Sequence, residues 1–129
     1  GAVMCAAVAD YTPARTAATK IKKGDGDMSI LLRRTEDIAA TLGRDKGGRL
    51  LAGFALETDN ELANAEAKLA KKNLDFIVLN SMRDSGACFR GDTNKVSIID
   101  RDGRTDHPLM TKREVAALIV DRIESCLNR

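Results

Sequence analysis

AVMCAAVADYTPARTAATKIKK, residues Ala2 to Lys23, is the stretch on which the fold turns. It begins as a continuous apolar run, Ala2 to Val8, of the kind expected of a strand covered on both faces in a parallel sheet. It breaks at Asp10-Tyr11-Thr12-Pro13 and ends in a loop carrying Lys20, Lys22 and Lys23. Ligands of open α/β sheets lie beyond the carboxyl ends of the strands. A buried strand that stops at an acid and delivers a lysine cluster is therefore laid out as a phosphate or nucleotide site.

Working outward, the next segments supply the rest of an α/β pattern. Gly24 to Asp27 reads as a turn, and Met28 to Arg33 alternates as an exposed or partner-facing strand. Thr35 is placed to cap a short helix through Leu42, with Glu36 and Asp37 in its first turn and Gly43 ending it. Leu50 to Leu56 is a second buried strand. Thr58 and Glu61 form a capping box for a helix reaching Lys72, with Leu62, Ala65 and Leu69 as its apolar seam. Lys68 and Lys72 lie one turn apart on one edge of that seam. Leu74 to Leu79 is a third strand, followed by a polar loop over Asn80 to Asn94. Lys95 to Ile99 and Arg104 to His107 form a hairpin around Asp100 to Gly103. Thr111 and Glu114 give another capping box, for a final helix burying Val115, Leu118, Ile119, Ile123 and Cys126. Strand, helix, strand, helix, strand is the grammar of a doubly wound sheet. Neither GxGxxG nor a P-loop is present, so a glycine-rich phosphate loop is not supplied by these residues.

The bulk properties narrow the choice. A length of 129 residues suits one domain. With 43% hydrophobic and 31% charged residues the composition is that of a globular domain. Aromatics make up only 3%, against a base-stacking surface. A net charge of +2, from 21 basic and 19 acidic residues, argues against nucleic-acid or membrane binding, so any electrostatic role is local. Cys5, Cys88 and Cys126 are odd in number, widely separated and without metal-ligand spacing, as for reduced thiols in the cytoplasm. No apolar run approaches the roughly 18 residues of a membrane span. The chain enters at once into an interior-type strand, and the expectation is that it is one piece of a longer protein.

AAVADYTP, then KIKK, then GFALET, a lysine-bearing helix, KNLDFIVLN and FRGDTNKVSIID together resemble one family over nearly all of the chain. It is the synthetase part of bacterial coenzyme A biosynthesis bifunctional proteins, phosphopantothenate–cysteine ligase. The resemblance implies a Rossmann-like, three-layer α/β domain with a mainly parallel sheet, of which residues 1–129 are the C-terminal portion, and a β extension for dimerisation. It implies a cytoplasmic homodimer that uses CTP and magnesium to activate the phosphopantothenate carboxylate as an acyl-cytidylate. Cysteine then attacks through its amine to give phosphopantothenoylcysteine, CMP and pyrophosphate. FMN belongs only to the decarboxylase that usually precedes this part, and none of that flavoprotein is expected here. The family's N-terminal half of the synthetase, with its glycine-rich segment, is also absent, and the fragment alone is expected to be inactive.

Carried over residue by residue, the resemblance places nucleotide contacts at Met4, Cys5, Ala6, Asp10, Lys20, Glu36, Asp37, Ile38, Ala39, Phe54, Lys68 and Lys72, with Lys20 closest to catalysis. Glu36 stands where relatives often have proline, and the loop after KIKK is shorter than in some. Simpler roles compete. A lysine cluster is usually a solvated loop, although an ammonium can stabilise the charge that builds on a nucleotide leaving group. Asp10 either ends the strand by bonding the turn, or serves ribose hydroxyls or a metal. Phe54 suits a core as well as a ligand, while Gly53 beside it permits close approach to the backbone. Exposed helix lysines such as Lys68 and Lys72 are common, but their spacing fits an anion clamp. His107 reads as structural, and Cys88 and Phe89 carry no assigned chemistry. The competing class is a non-catalytic Rossmann-like module that binds a nucleotide or only dimerises, with Met28–Arg33 as the dimer element.

Overall fold

The computed structural model describes residues 1–57, 59–81 and 91–128. Along the chain run β1 (Ala2–Met4), β2 (Tyr11–Pro13), β3 (Leu32–Arg34), α1 (Ile38–Arg44), β4 (Leu51–Glu57) and α2 (Glu61–Lys71). They are followed by β5 (Phe76–Ser81), β6 (Thr93–Asn94), β7 (Val96–Asp100), β8 (Arg104–Asp106), β9 (Met110–Thr111) and α3 (Lys112–Leu127). One five-stranded sheet has the order β1-β4-β5-β7-β8. Its first three strands are parallel, and β7 and β8 return antiparallel as the expected hairpin.

Strict alternation along the central strands splits their side chains between two cores. Leu50, Ala52, Phe76, Val78, Val96 and Ile98 pack with Val115 and Ile119 of α3. Leu51, Ala55, Ile77, Leu79 and Ile99 pack with Leu74 and with Ala65 and Leu69 of α2. The sheet is thus covered on both faces, giving the three-layer α/β architecture. At the start of β4, the Asp75 carboxylate accepts from the Leu51 amide at 2.7 Å and from Lys46 Nζ at 2.8 Å, tying the strand to the chain entering β5. The capping box at Thr111 and Glu114 opens α3 as its sequence predicts.

Several local expectations shift. The buried strand over Ala2–Val8 is only three residues long, Val3 is 37% exposed, and residues 5–10 are exposed. The reason is position: among the described residues β1 pairs only with β4, so it is an edge strand. The strand expected over Met28–Arg33 is confined to Leu32–Arg34, which pairs with Tyr11–Pro13 as a separate antiparallel ribbon. Met28, Ile30 and Leu31 are 64%, 58% and 74% exposed, so no buried face fixes a register for them.

The caps of the first two helices also differ. Asp37, not Thr35, caps α1, accepting from the Ala40 amide at 3.0 Å. Thr35 instead donates its hydroxyl to the Ala9 carbonyl at 2.6 Å, while its amide bonds the Asp10 carbonyl at 3.0 Å. Gly43 does not end α1; it lies inside the helix, buried against the carbonyl of Lys72. The N-cap of α2 is Asn60, in the left-handed region and without a side-chain cap bond. Thr58, expected to cap it, lies outside the described residues, as do Cys88 and Phe89.

Candidate functional site

A cavity of about 170 Å³ lies where β1 and β4 run side by side, between the start of α1 and the flank of α2. Met4, Ala6 and Val8 to Asp10 form one wall, and Thr35 to Ala39 another. Gly53 and Phe54 of β4, with Leu74 and Ile77, line the sheet side, and Lys68 and Lys72 close it from α2. The Thr35 bonds to Ala9 and Asp10 staple the first two walls together at the base of the β2–β3 ribbon.

Of the twelve positions carried over from the resemblance, ten line this one cavity: Met4, Ala6, Asp10, Glu36, Asp37, Ile38, Ala39, Phe54, Lys68 and Lys72. They come from segments up to 68 positions apart (72 − 4), so no local pattern could have gathered them. Cys5, between two lining residues, is exposed and outside the lining. Lys20 is exposed, on the stretch joining β2 to β3, and also lies outside the lining. His107 is likewise apart from it.

Sequence reasoning missed Thr35 as the staple, and Glu57 at the end of β4. An acid at the carboxyl end of a buried strand was the available signal for Glu57. Gly53 has a second reason to be glycine: a Cβ there would stand 2.9 Å from Leu74 Cδ1.

Both lysines are held by carboxylates. Lys72 Nζ lies 3.2 Å from Asp37 Oδ1, and Lys68 Nζ 2.5 Å from Glu57 Oε1. Asp37 therefore does two things at once, capping α1 and fixing Lys72 across the cavity. The Ala40 amide, and after it Lys72 and Lys71, hold the Asp37 carboxyl below the usual carboxylate range against an opposing effect of burial. A depressed carboxyl stabilises the fold fully above its unfolded value of about 3.9 and loses that contribution as pH falls through the folded value. Asp37→Asn keeps an N-cap oxygen, so it is expected to flatten the fall in stability below about pH 4. Denaturant midpoints measured from about pH 5 to about pH 2, a range that spans the usual carboxylate pKa, check this. Identical acid limbs in the two proteins would show that Asp37 contributes nothing.

Among the described residues no three His, Cys, Asp or Glu side chains converge as a metal cage. Magnesium is commonly held by one or two carboxylates plus substrate phosphates instead. Asp37 is taken up by Lys72, and Glu36 Oε1 accepts from Thr41 Oγ1 at 2.9 Å. Asp10 is the cavity carboxylate that suits the phosphate-borne mode.

Fold and site together define a three-layer α/β domain with a cleft over the edge of its parallel strands. Residues 1–127 match the family of the DNA/pantothenate metabolism flavoprotein C-terminal domain, and the chain belongs to that family. Among its relatives is a cysteine/cysteine sulfinic acid decarboxylase from an unknown prokaryotic organism, 56% identical over 124 residues, covering 95% of this chain and 34% of the relative. The coenzyme A biosynthesis bifunctional protein CoaBC of Bacillus subtilis (strain 168) is 44% identical over 122 residues, covering 94% of this chain and 30% of the relative. The crystal structure of the C-terminal domain of a CoaBC protein superposes with a TM-score of 0.73 at 39% identity, covering 98% of this chain and 56% of that one. The chain thus spans about a third of the curated relatives and just over half of the solved domain. No helix among the described residues is long and apolar enough to cross a membrane.

Proposed function

We propose that this chain is the nucleotide-binding portion of a CTP-dependent phosphopantothenate–cysteine ligase acting in coenzyme A biosynthesis. The observation that carries the reading is the gathering of ten carried-over positions around one cavity, beside the similarity to CoaBC proteins. In this reading the phosphopantothenate carboxylate attacks the α-phosphorus of CTP and pyrophosphate leaves. The cysteine amine then attacks the acyl carbon of the mixed anhydride, and CMP leaves. Met4, Ala6, Phe54 and the backbone at Ile38–Ala39 enclose the nucleotide, and Asp10 addresses the ribose or a phosphate-borne magnesium. Lys68 and Lys72 meet its anionic end, and Lys20 reaches the reacting phosphate. Magnesium, when bound, supplies charge neutralisation at the phosphates.

The test uses the full-length protein that contains this chain. CTP, phosphopantothenate and cysteine together should release pyrophosphate, and ATP in place of CTP should not. Binding of CTP without turnover would favour a non-catalytic nucleotide-binding module. A second reading rests on the 56% identity to the cysteine/cysteine sulfinic acid decarboxylase: this chain would then serve a protein that removes carbon dioxide from those substrates. Carbon dioxide release from cysteine or cysteine sulfinate, with no pyrophosphate from the ligation mixture, would favour it.

Alanine at Lys68 or Lys72 is expected to weaken CTP binding about five- to ten-fold each, the scale of one charge-assisted contact. Unchanged affinity in calorimetric titration would remove both from the site. The protein is proposed to work as a cytoplasmic homodimer through the β2–β3 ribbon, where Tyr11 and Leu32 are both 51% exposed and Leu31 stands out at 74%. Leu31→Asp should shift the full-length protein toward monomer on size exclusion. A dimer of unaltered stability would place the interface elsewhere.

A further inference from the structure

Lysine side chains are flexible, and holding one in a single geometry costs rotamer freedom. Lys68 is 44% exposed at its side chain, so packing alone does not fix it. Its ammonium is instead fixed by Glu57, the last residue of β4, whose side chain is only 13% exposed. Glu57 is itself gripped from its other oxygen: Oε2 accepts from Asn64 Nδ2 at 3.3 Å, and the same amide nitrogen donates to the Asp59 carbonyl at 3.0 Å. Asn64 and Lys68 are one helical turn apart, so α2 presents both groups to one carboxylate. Glu57 does not line the cavity, whereas Lys68 does.

We propose that Glu57 is a positioning residue that holds the Lys68 ammonium at the cavity for the anionic end of the nucleotide. The proposal rests on the reading of the cavity as a nucleotide site. A lysine–glutamate pair that sets a lysine against nucleotide phosphates is a device used in protein kinases, where the pair must be formed for phosphoryl transfer. The anchoring through Asn64 is what suits Glu57 to that work, because a carboxylate held in place can hold its partner, whereas a mobile one only neutralises it. Removing the carboxylate also removes a negative charge near the ligand, which by itself would favour an anion. The two effects oppose each other in sign, so the direction of the change separates positioning from simple charge.

The experiment is a double-mutant cycle in the full-length protein, with CTP as the titrant in calorimetry. Glu57→Gln, close to isosteric, is expected to raise the dissociation constant about five-fold in the parent protein and to leave it unchanged or lower it in the Lys68→Ala background, where only the loss of negative charge acts. Tighter binding by Glu57→Gln, or no change in the parent, overturns the proposal while the site reading stands. Equal weakening in both backgrounds also overturns it, since a carboxylate that merely ties β4 to α2 would act without Lys68. If Lys68→Ala itself leaves the affinity unaltered, the reading of Lys68 fails and the proposal fails with it. Asn64→Ala, which loosens the anchor without touching either charge, should reproduce the Glu57→Gln effect in weaker form. It keeps the proposal open to refutation should Glu57→Gln fold poorly, and unaltered CTP affinity in Asn64→Ala would then count against it.

Discussion

Gly43→Ala is expected to destabilise the protein by about 3 kcal/mol, at the upper end of what overpacking usually costs, and to lower its melting temperature by roughly 10 °C. A Cβ on Gly43 would overlap the carbonyl oxygen of Lys72 and stand 2.8 Å from its carbonyl carbon. Those atoms are backbone, so no side-chain rotation can relieve the clash. The end of α1 must move away from the end of α2. The bond from Asn73 Nδ2 to the Gly43 carbonyl, at 2.9 Å, and the Lys72–Asp37 pair are then put at risk together. Helix propensity pushes the other way, since alanine is favoured over glycine inside a helix by about 1 kcal/mol. The sign of the result therefore decides between the two effects. A variant that melts at or above the parent temperature would show that α1 does not press against α2 as described. Because Asp37 and Lys72 both line the cavity, the proposed nucleotide site predicts that CTP affinity falls along with stability.

Under the proposed ligase function, Lys20→Gln should lower ligation by the full-length protein at least about 100-fold, the scale of losing one group that stabilises transition-state charge. In the proposed reaction negative charge would accumulate on the bridging and terminal oxygens of the departing pyrophosphate, where an ammonium would meet it and an amide would not. Glutamine keeps a hydrogen-bond donor, on a side chain one bond shorter, so the substitution removes the charge together with some reach. Lys20 is exposed, and a substitution at such a position usually changes stability by less than about 0.5 kcal/mol. Oligomeric state and melting temperature should therefore match the parent, which ties any loss to the chemistry. Pyrophosphate release in the presence of CTP, phosphopantothenate and cysteine is the measurement. Parent-level turnover would take Lys20 out of the reaction and leave KIKK as a solvated loop.

The local grammar of the chain was legible wherever one residue pattern carried its own answer. Leu50 to Leu56 and Leu74 to Leu79 are rich enough in apolar residues to demand burial on both sides, and both became central strands within one or two residues at each end. Asp100 to Gly103 turns the hairpin because Asp100 Oδ1 accepts from the Asp102 and Gly103 amides at 2.8 and 3.0 Å, a purely local device. The capping box at Thr111 and Glu114 is equally local. Ala2 to Val8 misled because an apolar run reports hydrophobicity without reporting neighbours. With only β4 beside it among the described residues, the run stays strand for three residues and is exposed beyond them. Gly43 misled for the related reason that glycine ends helices and also permits contact, and only the position of Lys72 distinguishes the two.

What the sequence determined alone is therefore the α/β order of elements, the two faces of the central strands, and a set of residues worth carrying over as a nucleotide site. Periods of two and 3.6 residues and short-range hydrogen bonds fix the first two, each written within a few residues, whereas the site positions came from the resemblance to a family. Tertiary structure alone decided that Met4, Asp10, Glu36, Phe54 and Lys72 share one cavity. It also decided that Thr35 staples two walls rather than capping a helix, and that Glu57 stands behind Lys68. Those relations join residues 11 to 68 positions apart (68 − 57 and 72 − 4), and they exist only once sheet pairing and helix packing have brought the segments together.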